Sequence, residues 1–217
     1  MTQSASRQAQ PVHPAHLAER GQPLPDQTLD QMFREARTYY KWQDKPVSDA
    51  TLRALFDLMK MGPTSANSSP ARLIFVTSPE GKAKLKPHLS GGNVEKTMTA
   101  PVTAIIGYDL AFYERYDFLH PHDPDGPRSW VEGKPDAIAR TAFQNGTLQG
   151  AYLMMAARAL GLDCGPMGGF DGAGVEKSFF PDGQIKANFL CNLGYGDPDS
   201  LFPRLPRFAF EDVCAIA

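Results

Sequence analysis

Gly62-Pro63-Thr64-Ser65-Ala66-Asn67-Ser68-Ser69-Pro70 is a polar turn between two apolar stretches of different period. Upstream, Leu52, Leu55, Phe56 and Met59 recur at helical spacing. Ser48 is placed to cap that helix, and Gly62-Pro63 ends it. Downstream, Leu73 to Thr77 (LIFVT) is short, β-branched and aromatic, the composition of a buried strand. Ser, Asn and Pro suit the junction because they bond to their own backbone or fix φ.

The same alternation extends in both directions. Leu29, Met32, Phe33 and Ala36 predict an amphipathic helix opening near Thr28, and Lys82 to Leu89 predicts another. Val102 to Tyr108 (VTAIIGY) and the run NFLCNLGY within Lys186 to Tyr195 read as buried strands. Ile138 to Leu160 is the longest expected helix. It carries almost no charge from Leu148 to Ala157, so it must be buried in a core or against a partner. His120 to Pro135, rich in Pro, Asp and Gly, reads as a long surface loop. Helices alternating with buried strands over long connections predict an α+β (mixed α/β) fold, a central mixed sheet flanked by helices. No GxGxxG joins a strand to a helix, so no intrinsic nicotinamide-binding fold is predicted.

Residues 1–26, rich in Gln, Pro, His and Ala without apolar period, read as a disordered tail that includes His13 and His16. Residues 27–217 read as a single domain. The chain has 217 residues, 42% hydrophobic and 21% charged, with a net charge of −2. No basic run points to nucleic acid, no apolar run is long enough to span a bilayer, and no secretory h-region is visible. Cys164, Cys191 and Cys214 lack metal or CxxC spacing and read as buried reduced thiols of a cytoplasmic protein.

Five segments stand out for chemistry: Arg37-Thr38-Tyr39-Tyr40-Lys41-Trp42; the turn Pro63-Thr64-Ser65-Ala66-Asn67 with Pro70; Asn93-Val94-Glu95-Lys96; Gly165-Pro166-Met167-Gly168-Gly169-Phe170-Asp171; and Arg204-Leu205-Pro206-Arg207. Each alone has an ordinary explanation as a turn, a glycine hinge, an exposed helix face or a solvated terminus. His88, His120 and His122 show no partner spacing, and no catalytic triad or paired carboxylate emerges.

Together and in this order, the segments resemble the nitroreductase family of flavoproteins, from about residue 30 to the carboxyl end. GPTSANSSPAR, TAPVTAI, ALGLDCGPMGGFD and NLGYGD are similar to its malonic semialdehyde reductase branch in pyrimidine degradation. The resemblance implies a nitroreductase-like homodimer with FMN sites at the subunit interface and NADH or NADPH as electron donor. It implies a small carbonyl substrate, malonic semialdehyde reduced to 3-hydroxypropionate, or alternatively a nitroaromatic or quinone. Arg37 and Arg207, with Arg204, would supply forked cationic donors to the FMN phosphate, beside Thr38 and Tyr39. Asn93 and Lys96 would reach the ribityl and pyrimidine side, where an ammonium favours the anion formed on reduction. Pro63, Thr64, Ser65, Ala66 and Asn67 would hold the flavin from one side. Pro166, Met167, Gly168 and Gly169 would cover its other face. Hydride would travel through flavin N5, leaving no side chain with a catalytic assignment. Three positions depart from the family pattern. Tyr40 stands where many members carry a second Arg, so one phosphate ligand is either missing or replaced by Lys41 or Arg204. Ser69 stands where many carry Gln, and Gly168 where nitro-compound reducers often carry Glu.

Overall fold

In the computed structural model, which describes residues 21–217, Ser48 accepts a hydrogen bond from the Thr51 amide and starts helix α2, Asp49–Met59. Leu52, Leu55 and Met59 are buried as their spacing predicts, but Phe56 is 45% exposed and lies outside that face. Most of the tail read over residues 1–26, with His13 and His16, lies outside the described residues. The first expected helix is short: α1, Asp26–Leu29, passes into a π-helical turn, Asp30–Arg34, and Phe33 is exposed. Side-chain bonds replace the expected apolar face there. Gln31 donates to the Arg158 carbonyl at 2.6 Å, and Arg158 to the Met32 carbonyl at 3.0 Å.

The remaining elements are β1 (Ala71–Val76), α3 (Pro79–Leu85), α4 (Gly91–Met98), β2 (Val102–Asp109), α5 (Tyr116–Leu119), α6 (Asp125–Val131), α7 (Pro135–Ala159), β3 (Asp163–Met167), α8 (Gly172–Phe179), β4 (Ile185–Gly194) and α9 (Phe210–Val213). The sheet order is β1-β2-β4-β3, and every neighbouring pair is antiparallel. The expected mixed sheet is therefore antiparallel through its four strands, and one isolated bridge, Thr38 to Cys164, is parallel. Long connections allow either strand direction, so the alternation of elements does not decide it.

Period-2 alternation separates two cores. Val102, Ala104 and Ile106 of β2, with Cys191 and Leu193 of β4, pack against α2 and the Leu153, Ala156 and Ala157 face of α7. Ile105 and Leu190 point the other way, toward Leu85 of α3, Met167 and Val175 of α8. Leu148 and Tyr152, on the charge-poor stretch of α7, stay exposed. The region expected to be a loop from His120 to Pro135 contains α6, which buries Pro127 and packs Val131 in a cluster with Phe112 and Tyr116. Among the described residues, no helix is long and apolar enough to cross a membrane.

Candidate functional site

The sheet gathers four of the five segments. Tyr39 donates its amide to the Cys164 carbonyl at 3.1 Å, so Arg37–Trp42 runs beside β3. β3 carries Gly165, Pro166 and Met167 out to Gly168 and Gly169. An added Cβ at Gly168 would meet nothing within 4 Å, so that turn borders open space. The Gly169 carbonyl accepts from Asn93 Nδ2 at 2.6 Å and from the Ser90 amide at 3.1 Å. This ties the start of α4 to the glycine turn. One helical turn on, the Lys96 carbonyl accepts from Trp42 Nε1 at 3.0 Å, while Lys96 Nζ sits 4.9 Å from the centre of the Tyr40 ring. Burial lowers the Lys96 ammonium below its usual range. Burial, with Asp163 nearby, raises the Tyr39 phenol.

The carboxyl-terminal segment joins the same region. Arg37 donates to the Phe202 carbonyl, the Tyr40 ring meets Phe202 edge-on at 5.5 Å, and Arg204 donates to the carbonyls of Arg34 and Ala36 at 2.7 and 3.4 Å. Arg37, Arg158, Arg204 and Arg207 border a cavity of about 240 Å³ with Thr38 on its wall. No carboxylate lines this cavity among the described residues. Among the described residues, Arg207 is engaged only by the adjacent carbonyls of Leu205 and Pro206, each at 3.0 Å. Such a group of forked cations suits a phosphate dianion. Arg204 supplies a cation to the segment in which Tyr40 replaces arginine, whereas Lys41 does not border the cavity. Arg158 was not expected. Its only sequence signal is its place as the first charge after the Leu148–Ala157 run, and it is partly engaged by the Met32 carbonyl and by Asp163.

The turn Pro63–Asn67 goes elsewhere. Its hydrogen bonds run to α7, from the Ser65 amide to Asn145 Oδ1 at 2.8 Å, and to α5, from Asn67 Nδ2 to the Leu119 carbonyl at 2.8 Å. Ala66, Asn67 and Ser69 all have positive φ, at 48°, 54° and 40°. Side chains other than glycine rarely adopt this region, and such strain persists only where surrounding contacts enforce it.

Among the histidines and cysteines, Cys214 differs from expectation, and Cys164 and Cys191 do not. His88 meets Ser178 Oγ at 2.8 Å, and the His120 and His122 ring centres lie 3.9 Å apart with their planes tilted by 43°. Cys164 and Cys191 are buried free thiols, and Cys191 is pushed well above the usual thiol range by a hydrogen bond with the Cys164 thiol and by burial. Cys214 is exposed, unlike the buried thiol expected there, because the chain after Leu201 lies against little of the body.

The sequence profile described as the nitroreductase family matches residues 33–195. A relative from Burkholderia lata is 61% identical over 193 residues, covering 89% of this chain and 98% of its own. A second, from Cupriavidus pinatubonensis, is 55% identical over 194 residues, covering 88% and 98%. Both carry the provisional name NADH dehydrogenase/NAD(P)H nitroreductase. In fold, the chain superimposes with a TM-score of 0.79 on a provisional nitroreductase from Exiguobacterium sibiricum solved with FMN. The two share 18% identity, over 90% of this chain and 99% of that one. The match over residues 33–195, with the two close relatives, establishes that this chain belongs to the nitroreductase family.

Proposed function

We propose that the protein is an FMN-dependent NAD(P)H oxidoreductase working on a small-molecule acceptor. The observation that carries this reading is the four-arginine cavity free of carboxylates, next to the joined Asn93–Gly169 and Lys96 region. Bound FMN would supply hydride transfer between nicotinamide and acceptor. Arg207 and Arg37, with Arg204, would hold the phosphate. Asn93 and Thr38 would orient the polar chain, and Lys96 would stabilise negative charge developing at the flavin's polar edge. Gly168 and Gly169 would let the backbone approach the ring.

Pro63–Asn67 would act from a second subunit, since its own hydrogen bonds hold it on α7 and α5. A homodimer also accounts for the exposed Leu148 and Tyr152 of α7.

For the acceptor, the segments GPTSANSSPAR and ALGLDCGPMGGFD support malonic semialdehyde, reduced to 3-hydroxypropionate. The names of the two relatives support a nitro compound instead. The deciding experiment is anaerobic reduction of the purified protein with NADH and with NADPH, followed by reoxidation with malonic semialdehyde, a nitrofuran and a quinone. Flavin bleaching by a nicotinamide is expected. Absence of aldehyde turnover beside rapid nitrofuran turnover would remove the aldehyde reading. Failure of the protein to take up FMN would remove the flavoenzyme reading itself.

A further inference from the structure

Lys82 on α3 is 5% exposed, and no carboxylate pairs with it among the described residues. Its ammonium donates to the Thr97 carbonyl of α4 at 2.8 Å and to Thr103 Oγ1 of β2 at 2.6 Å. Thr103 donates in turn to Asn192 Oδ1 of β4 at 2.7 Å. Asn192 Nδ2 then donates to the Lys96 carbonyl at 3.1 Å. Thr97, Thr103 and Asn192 are all fully buried. Every bond in this chain points the same way, from the Lys82 ammonium to the Lys96 carbonyl, so each polarises the next.

An isolated cation is an expensive way to satisfy two buried oxygens. The groups that face it from the packed elements are uncharged: the Thr97 carbonyl from α4, Thr103 from β2 and, behind it, Asn192 from β4. Met167 of β3 enters through its sulfur, 3.5 Å from the Thr97 hydroxyl. On its own helix, Glu80 is exposed, and Lys84 lies over the Phe179 ring of α8. Lys96 enters only through its carbonyl, with its ammonium turned toward Tyr40. Burial pushes the Lys82 ammonium down to about 7.

A neutral amine differs from an ammonium in having a lone pair, which the Thr103 hydroxyl can bond. Thr103 then ceases to donate to Asn192 Oδ1, and the grip on the Lys96 carbonyl loosens. We propose that Lys82 is a positioning residue for the candidate site: its ammonium orients the Thr103–Asn192 chain that holds Lys96, and loss of its proton releases that hold. The transmission stands on the chain's own contacts. Its consequence for bound FMN rests on the proposed function.

The Lys96 carbonyl also accepts from the Trp42 indole, which makes that indole a reporter that needs no flavin. The chain has two tryptophans, and the other, Trp130, is exposed on α6. In Trp130→Phe protein, the Trp42 indole N–H resonance is followed by NMR from about pH 6 to about pH 9, bracketing the Lys82 step. One titration step near neutrality is expected. It should vanish in Lys82→Arg, whose guanidinium stays charged, in Lys82→Met, and in Thr103→Val, which cuts the chain while keeping the lysine. A flat resonance in the parent protein, or a step that survives Lys82→Arg or Thr103→Val, overturns the proposal. If Lys82→Met does not fold, Lys82→Arg decides. FMN affinity, measured on the same samples, should be roughly three- to ten-fold tighter below the midpoint. The same pH dependence in Lys82→Arg would sever the link to the cofactor site. Failure of any sample to bind FMN would count against the flavoenzyme reading and leave the indole titration to decide the relay.

Discussion

Asn93 Nδ2 donates to the Gly169 carbonyl at 2.6 Å, joining the start of α4 to the turn after β3 across 76 positions of sequence. The Ser90 amide reaches the same carbonyl, so turn and helix behave as one unit. A Cβ built on Gly169 would lie 2.7 Å from Asn93 Nδ2 and 3.3 Å from Ser90 Oγ. The Asn93 side chain can swing away, but the carbonyl then loses a donor. Gly169→Ala is therefore expected to weaken FMN binding about ten-fold, as one lost hydrogen bond does, with little loss of fold stability. Fluorescence titration with FMN measures this, and Asn93→Ala should match it.

Gly165 provides the contrast. Its added Cβ would sit 2.8 Å from the Tyr39 carbonyl, a backbone atom beside the Thr38–Cys164 bridge that cannot rotate aside. Gly165→Ala should destabilise the fold by roughly 1–3 kcal/mol, read by urea unfolding. Equal stability of the two alanine variants would mean that the backbone near Tyr39 yields more easily than this packing implies.

The arginines of the cavity should separate by what else they hold. Among the described residues Arg207 bonds only to its neighbours' carbonyls, so Arg207→Ala should cost about ten- to hundred-fold in FMN affinity and leave the melting temperature unchanged. Arg204 also ties the carboxyl-terminal segment to the Arg34 and Ala36 carbonyls. Arg204→Ala should lower both affinity and melting temperature. An unaltered FMN dissociation constant in Arg207→Ala would move the phosphate away from this cavity.

These contrasts show which parts of the site could be read in one dimension. Local rules suffice for α2: the Ser48 cap and the Leu52, Leu55, Met59 stripe are short-range features. β3 was hidden because Gly165 and Pro166 are poor strand formers. β3 is the last strand of the four-stranded order, with only the isolated Thr38–Cys164 bridge on its outer side, and proline is tolerated at such an edge. α6 was hidden because Pro, Asp and Gly dominate its neighbourhood, and only burial of Pro127 and Val131 makes it a helix. The relay from Lys82 had faint signals: a lysine three residues before buried Leu85, and lone polar residues, Thr103 and Asn192, within apolar strands. Their convergence depends on sheet register, which hydropathy along one strand does not encode.

The proposed homodimer makes a prediction about the surface of the carboxyl-terminal segment. Leu205, Phe208 and Ile216 are 76%, 79% and 91% exposed, large apolar side chains that a partner subunit would cover. The protein should sediment as a dimer at micromolar concentration. Phe208→Asp with Ile216→Asp should shift it toward monomer and weaken FMN retention in parallel. A parent chain that sediments as a monomer would place Pro63–Asn67 outside the cofactor site.

Lys82 gives stability a defined pH dependence. Its pKa falls from 10.5 to about 7 on folding, so between these values the unfolded chain binds the extra proton. Stability therefore rises with pH through that window and declines as pH falls back toward about 7, below which the cost of burying the ammonium is complete. Lys82→Met removes this dependence and leaves the Thr97 carbonyl and Thr103 without a donor, a penalty that does not vary with pH. The variant should thus be less stable than the parent near pH 10 and should gain on it as pH falls. The relative change should be on the order of a few kcal/mol across the window. Chemical unfolding of both proteins at several pH values measures that difference. A gap that stays constant with pH would show that Lys82 keeps its proton in the folded chain, and would remove the switch from the relay while leaving its hydrogen bonds in place.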